Sequence, residues 1–124
     1  MTLSNHQNEF LKDLLLLLDF IINVKKVKVT ATYLFRSQEE QQRKFDEGLS
    51  KTLESNHLYS RAIDLNIFLN SEVLTNKKKK FLTKAELDLL TEIASFWENL
   101  NSINRAGFFW KSPYDPGHFE RNVK

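Results

Sequence analysis

Apolar residues recur at helical spacing through the first part of the chain. Phe10, Leu11, Leu14, Leu15, Leu18, Ile21 and Ile22 form one broad stripe, which predicts a helix over about 5–23. Ser4 and Gln7 have the spacing of a capping box, with Leu3 as its staple. The period then shortens: Val27, Val29 and Ala31 share a face and predict a strand running to Tyr33. Ser37 with Glu40 opens a second helix over about 38–47, stopped by Gly48, and residues 49–61 are polar and read as loop. A strand begins at Ala62. Ile63, Leu65 and Ile67 lie on one of its faces, while Ala62, Asp64, Asn66 and Phe68 lie on the other. Residues 70–80 form a polar turn with a returning hairpin strand. Thr83 with Glu86 caps a helix to Leu100 whose inner face is Leu87, Leu90, Ile93, Ala94 and Trp97. Gly107–Trp110 is expected as a short strand, 113–117 as a turn and His118-Phe-Glu as a last strand. Strands and helices do not alternate regularly, so the expected class is α+β, a small antiparallel sheet with flanking helices.

The length of 124 residues supports one domain with one core. Lys77–Lys80 read as a solvated loop, and His6 as a surface residue. A net charge of +2 is too weak to point to nucleic acid. Leu14–Ile22 is too short for a bilayer and is interrupted by Asp19, so a buried helix is expected rather than membrane insertion or a signal peptide. Synthesis in the cytoplasm, without an export signal of its own, is the matching expectation. The chain has no cysteine, which excludes disulfides, thiolate nucleophiles and cysteine-ligated zinc. Any metal site must be built from His, Asp and Glu.

That restriction gives weight to two short stretches. His57 and Asp64 are separated by six residues, and His118 lies in Asp115-Pro-Gly-His118-Phe-Glu120. Three ligands, His57, Asp64 and His118, would satisfy a catalytic zinc and leave a fourth position for water. Asp115 can then stand close to the metal as a base without binding it. Composition and spacing leave a plainer reading open, with His57 a loop histidine and Asp64 a strand-edge acid.

The ordered set Ser55-x-His57-x6-Asp64 and Asp115-Pro-Gly-His118-Phe-Glu resembles the M15 family of zinc peptidases. Upstream, Tyr33-Leu-Phe-Arg36-Ser37-x-Glu39-Glu40-Gln41 and Gly48-Leu-Ser-Lys-Thr52 resemble its L-alanyl-D-glutamate endopeptidase branch, which includes phage endolysins. Trp97 and Arg105-Ala-Gly107-Phe-Phe-Trp110 extend the likeness, so that residues 27–120 are covered. The resemblance implies a hedgehog/D,D-peptidase-like fold and one zinc ion held by His57, Asp64 and His118. It implies Asp115 as catalytic acid or base, and Arg36 as the residue that engages substrate and stabilises the oxyanion. Gln41 and Ser55 are implied as substrate contacts, and Glu120 as the residue orienting a ligand histidine. The implied substrate is the peptidoglycan stem peptide, with D-alanyl-D-alanine carboxypeptidase or dipeptidase activity, or a silent wall-binding homologue, as alternatives. A monomer acting on the cell wall after holin-mediated release completes the expectation. Ser60 and Phe108 stand where the family commonly has glycine.

Overall fold

A computed structural model describes residues 1–33, 42–43, 46–47 and 61–123. The first helix, α1, spans Leu3–Asp19. Its cap is Thr2, whose hydroxyl accepts the Asn5 N–H at 3.2 Å. Ser4, expected as the cap, is therefore already inside the helix. Phe20–Val24 continue as a π-turn, and Phe20 stacks on Phe96 at 4.2 Å. The buried stripe of α1 and this turn is Phe10, Leu14, Leu17 and Ile21. It is narrower than expected and rotated, since Leu11, Leu15 and Ile22 are exposed.

Strands β1 (Val29–Tyr33), β2 (Ala62–Leu69), β3 (Glu72–Val73), β4 (Asn104–Ala106) and β5 (His118–Arg121) form one sheet. Its order is β1-β2-β5-β4, with β3 pairing the far end of β2, and every pairing is antiparallel. The β2 pattern is the expected one. Ile63, Leu65 and Ile67 are buried, whereas Asp64 and Asn66 are half-buried on the opposite face. The short strand expected at 107–110 lies earlier, at Asn104–Ala106, and Gly107–Phe109 form a 3-10 turn. Gly107 packs directly against the Asp115 backbone, where a Cβ would stand 2.1 Å from the carbonyl oxygen. The backbone turns there and receives the Asp115 N–H on the Gly107 carbonyl at 3.1 Å.

Helix α2 spans Lys84–Leu100 and opens with the expected box: Thr83 Oγ1 accepts from Glu86 N–H, and Glu86 accepts from Thr83 N–H. Lys77 is more than a solvated lysine, because it pairs with Glu72 and Glu86. Glu86 is held below the usual carboxylate range, first by the Thr83 N–H and then by Lys77. Both helices cover the apolar face of the sheet. At the centre, Trp97 is fully buried, with Phe10 and Phe119 meeting its ring edge-on at 5.6 and 6.1 Å. Its indole N–H donates to the Glu120 carbonyl at 3.0 Å, which ties α2 to the backbone of β5. Asn104 adds a second tie, donating to the Trp97 carbonyl and to Asp13 on α1. His6 is half-buried, and its Nδ1 accepts from Arg121 Nε at 3.1 Å. Among the described residues, Gln42, Arg43 and Asp46 are helical and Glu47 is in a turn; residues 38–41, 44 and 45 of the helix expected at 38–47 fall outside them.

Candidate metal centre

The polar face of the sheet carries the site. Asp64 on β2 is the direct cross-strand partner of His118 on β5. Because side chains alternate along a strand, the residues that put Ile63 and Phe119 into the core turn Asp64, His118 and Glu120 to the other side. A register shift in β1, between Ala31 and Tyr33, lies beside Asp64. There the Thr32 hydroxyl donates to the Asp64 carbonyl at 3.0 Å, fixing the strand that presents the carboxylate.

Asp115 reaches the same place through a tight turn. The His118 N–H donates to the Asp115 carbonyl at 3.1 Å, with Pro116 preset for the second turn position. Gly117 is obligatory for space, since a Cβ there would stand 2.3 Å from the Leu65 carbonyl oxygen. Its own carbonyl accepts the Leu65 N–H at 2.8 Å. Gly107 and Gly117 thus let the loop press against β2 and the 3-10 turn, and that contact aims Asp115 back over His118.

His118 Nδ1 lies 3.1 Å from Asp64 Oδ1 and 4.0 Å from Asp115 Oδ2, while Nε2 lies 2.7 Å from Glu120 Oε1. The ring is 7% exposed, and the Trp110 ring covers it at 5.1 Å between centroids. Burial alone would lower the imidazole pKa. The hydrogen bonds and charges of Asp64 and Glu120 outweigh it and raise the value to about 9. Glu120 therefore holds Nε2 as a donor and turns Nδ1 toward the two aspartates.

One ligand atom from each of Asp64, Asp115 and His118 lies within 4.8 Å of the others. Two donors on one tetrahedral zinc, at about 2.0–2.2 Å each, stand about 3.4 Å apart. The Asp64–His118 separation of 3.1 Å is near that edge length. The Asp115 oxygen stands further off, at 4.0 Å. The all-oxygen-and-nitrogen donor set, with its histidine backed by a carboxylate, fits zinc.

A family model described as D-alanyl-D-alanine carboxypeptidase matches residues 48–121, a span holding His57, Asp64, Asp115 and His118. The chain belongs to the M15 peptidases. Its fold is that of this family: the crystal structure of the Serratia marcescens L-Ala D-Glu endopeptidase ChiX superposes with a TM-score of 0.62 at 23% identity, covering 90% of this chain and 79% of that one. No curated protein matches the chain in a sequence search.

Of the M15 site residues expected from the sequence, Asp64, Asp115, His118 and Glu120 come together. His57, Arg36, Gln41 and Ser55 lie outside the described residues, as does Ser60. Phe108, at the other departure from the family pattern, is a core residue. The Trp110 ring stands on His118. The supporting roles of Thr32, Gly107 and Gly117 were not foreseen. The glycines carried a signal, because the chain has only three and two of them flank this loop.

Proposed function

We propose that this M15 peptidase is a zinc-dependent hydrolase of the peptidoglycan stem peptide, cutting the L-alanyl-D-glutamate bond. The observation carrying the reading is the cross-strand pair of Asp64 and His118, with Asp115 4.0 Å from the same ring nitrogen and Glu120 behind it. His57, Asp64 and His118 would hold the zinc, one per chain. When bound, it supplies Lewis acidity to a water and to the scissile carbonyl.

The remaining work falls to the chain's own groups. Asp115, half exposed at the mouth of the site, takes the proton from the attacking water and returns it to the leaving amine. Arg36 stabilises the oxyanion and, with Gln41 and Ser55, engages the stem peptide. Glu120 fixes the ring of His118, and Trp110 shields it from bulk water. The endopeptidase specificity is supported by the upstream Arg36 segment and by the fold shared with an L-Ala D-Glu endopeptidase. No described helix is long and apolar enough to cross a membrane. The wall is the site of action, reached after holin-mediated release.

A second reading, D-alanyl-D-alanine carboxypeptidase, is favoured by the description of the matching family. Digestion of purified peptidoglycan with the zinc-loaded protein separates the two. New amino termini on D-glutamate, read by mass spectrometry, support the endopeptidase, and released D-alanine supports the carboxypeptidase. Intact peptidoglycan after incubation with zinc present would make the chain a silent wall-binding homologue and end the proposal.

A further inference from the structure

The polar face of β1 and β2 continues past Asp64. Thr30 stands opposite Asn66, whose side-chain amide donates to the Thr30 hydroxyl at 3.4 Å. One step further the Phe68 N–H donates to the Lys28 carbonyl at 2.9 Å, and the Lys28 ammonium lies 4.7 Å from the centre of the Phe68 ring. There the face opens into a cavity of about 410 Å³, whose lining includes Lys26, Lys28, Phe68, Asn70 and Ser71. Neither of these lysines has a carboxylate partner among the described residues. The acids nearest in sequence to the turn and to Lys26 are engaged elsewhere or distant: Glu72 pairs with Lys77.

The backbone around this cavity is held in a conformation that favours glycine. Among the described residues, the non-glycine positions with positive φ are Lys26 (57°), Asn70 (52°) and Ser71 (70°), and all three line the cavity. Asn70 and Ser71 form the two-residue turn between β2 and β3, where asparagine is tolerated first and glycine is the low-strain choice second. Lys26 closes the π-turn, with the following Val27 N–H on the Ile21 carbonyl, and a helix end of that shape favours glycine. Lys26 and Ser71 thus carry side chains where the backbone gains nothing from them, and such outliers gather at ligand sites.

We infer that this cavity is a distal subsite of the cleft, in which Lys26 and Lys28 bind the free C-terminal carboxylate of the stem peptide against the Phe68 ring. The inference rests on the endopeptidase reading above and deepens it. A strand rises about 3.2–3.4 Å per residue, so Phe68 lies about 13 Å along β2 from Asp64. An extended peptide advances at nearly the same pitch, so a carboxylate roughly three or four residues beyond the scissile carbonyl reaches the lysines. The L-alanyl-D-glutamate bond stands that far from the end of the stem. A carboxypeptidase removes the last residue, so the carboxylate of its substrate stays beside the metal and cannot reach this cavity. Filling the subsite therefore selects the internal bond.

The test is steady-state kinetics of the zinc-loaded full chain on soluble stem peptides that differ only in a free or an amidated C-terminus. The amide should show a KM about tenfold higher at equal kcat, and the gap should close at high salt. Lys28→Gln should erase the difference between the two peptides. Lys26→Gly should erase it too while raising the melting temperature, because glycine relieves the left-handed backbone; a lysine that served only the fold would not separate the two effects. Equal KM for acid and amide, or a preference for the acid that survives both substitutions, would overturn the subsite and leave the endopeptidase reading standing. Cleavage of neither peptide at L-alanyl-D-glutamate would overturn both.

Discussion

The two faces of the sheet show opposite uses of the same alternation. On β2, Ile63, Leu65 and Ile67 go into a core closed by two helices, while Asp64 and Asn66 go to a face with a polar lining. On β5, Phe119 goes inward between His118 and Glu120. The apolar face derives stability from area removed from water, roughly 1.5–3 kcal/mol for each large side chain. The polar face holds acids close to a half-exposed opening and keeps a buried histidine charged in the metal-free protein. A substitution on one face should therefore unfold, and on the other should disarm.

The largest effects fall one on each face. Trp97→Ala removes a fully buried ring and the N–H held by the Glu120 carbonyl, and should cost about 3–5 kcal/mol in urea unfolding. Asp115→Ala should leave the unfolding midpoint and bound zinc unchanged while turnover on peptidoglycan falls by about 10²–10⁴. Zinc content by elemental analysis decides the division of roles: if the metal leaves with Asp115, that residue is a ligand rather than the base.

Gly117→Ala tests where the two faces meet. The added Cβ would stand 2.3 Å from the Leu65 carbonyl, so the turn must move, at about 1–3 kcal/mol of stability. Because the same turn aims Asp115 and His118, activity should fall further than stability explains. Equal losses in both would show that the turn is only structural. Glu120→Gln is smaller. It keeps the shape but weakens the grip on Nε2, and titration with a competing chelator should show zinc affinity down about 10–100-fold.

Much of this contrast is visible in the sequence, because period-two alternation assigns faces without needing the fold. Strand β2 and helix α2 with its Thr83–Glu86 box match their expected bounds. Helix α1 does not, and the cause is physical. Its leucines cover so much of the circumference that spacing alone selects no unique stripe, and only the packing of Phe10 against Trp97 does so. The turn at Gly107 was hidden for another reason: its packing partner is Asp115, eight residues away in sequence. In the site, a cysteine-free chain with three histidines made Asp64, Asp115 and His118 candidates, and the resemblance to the M15 peptidases selected them over the plainer reading. Thr32 was not, since its role depends on a bulge and a cross-strand register that no local pattern encodes.

The smallest predicted effect isolates the electrostatics of the polar face. The His118 pKa is raised from 6.5 to about 9 in the folded, metal-free protein, where Asp64 and Glu120 overcome the opposing effect of burial. A group whose folded pKa lies above its unfolded value adds stability that is complete below the unfolded pKa and lost as pH rises through the folded one. Chelator-treated protein should therefore lose thermal stability between about pH 6.5 and 9. Glu120→Gln should flatten that slope, because one of the two partners favouring the imidazolium is gone. Zinc reverses the sign: loading requires Nδ1 to give up its proton, so zinc binding should strengthen, and release protons, across the same window. Parallel pH slopes with and without zinc would mean that Nδ1 of His118 is not the atom facing the metal.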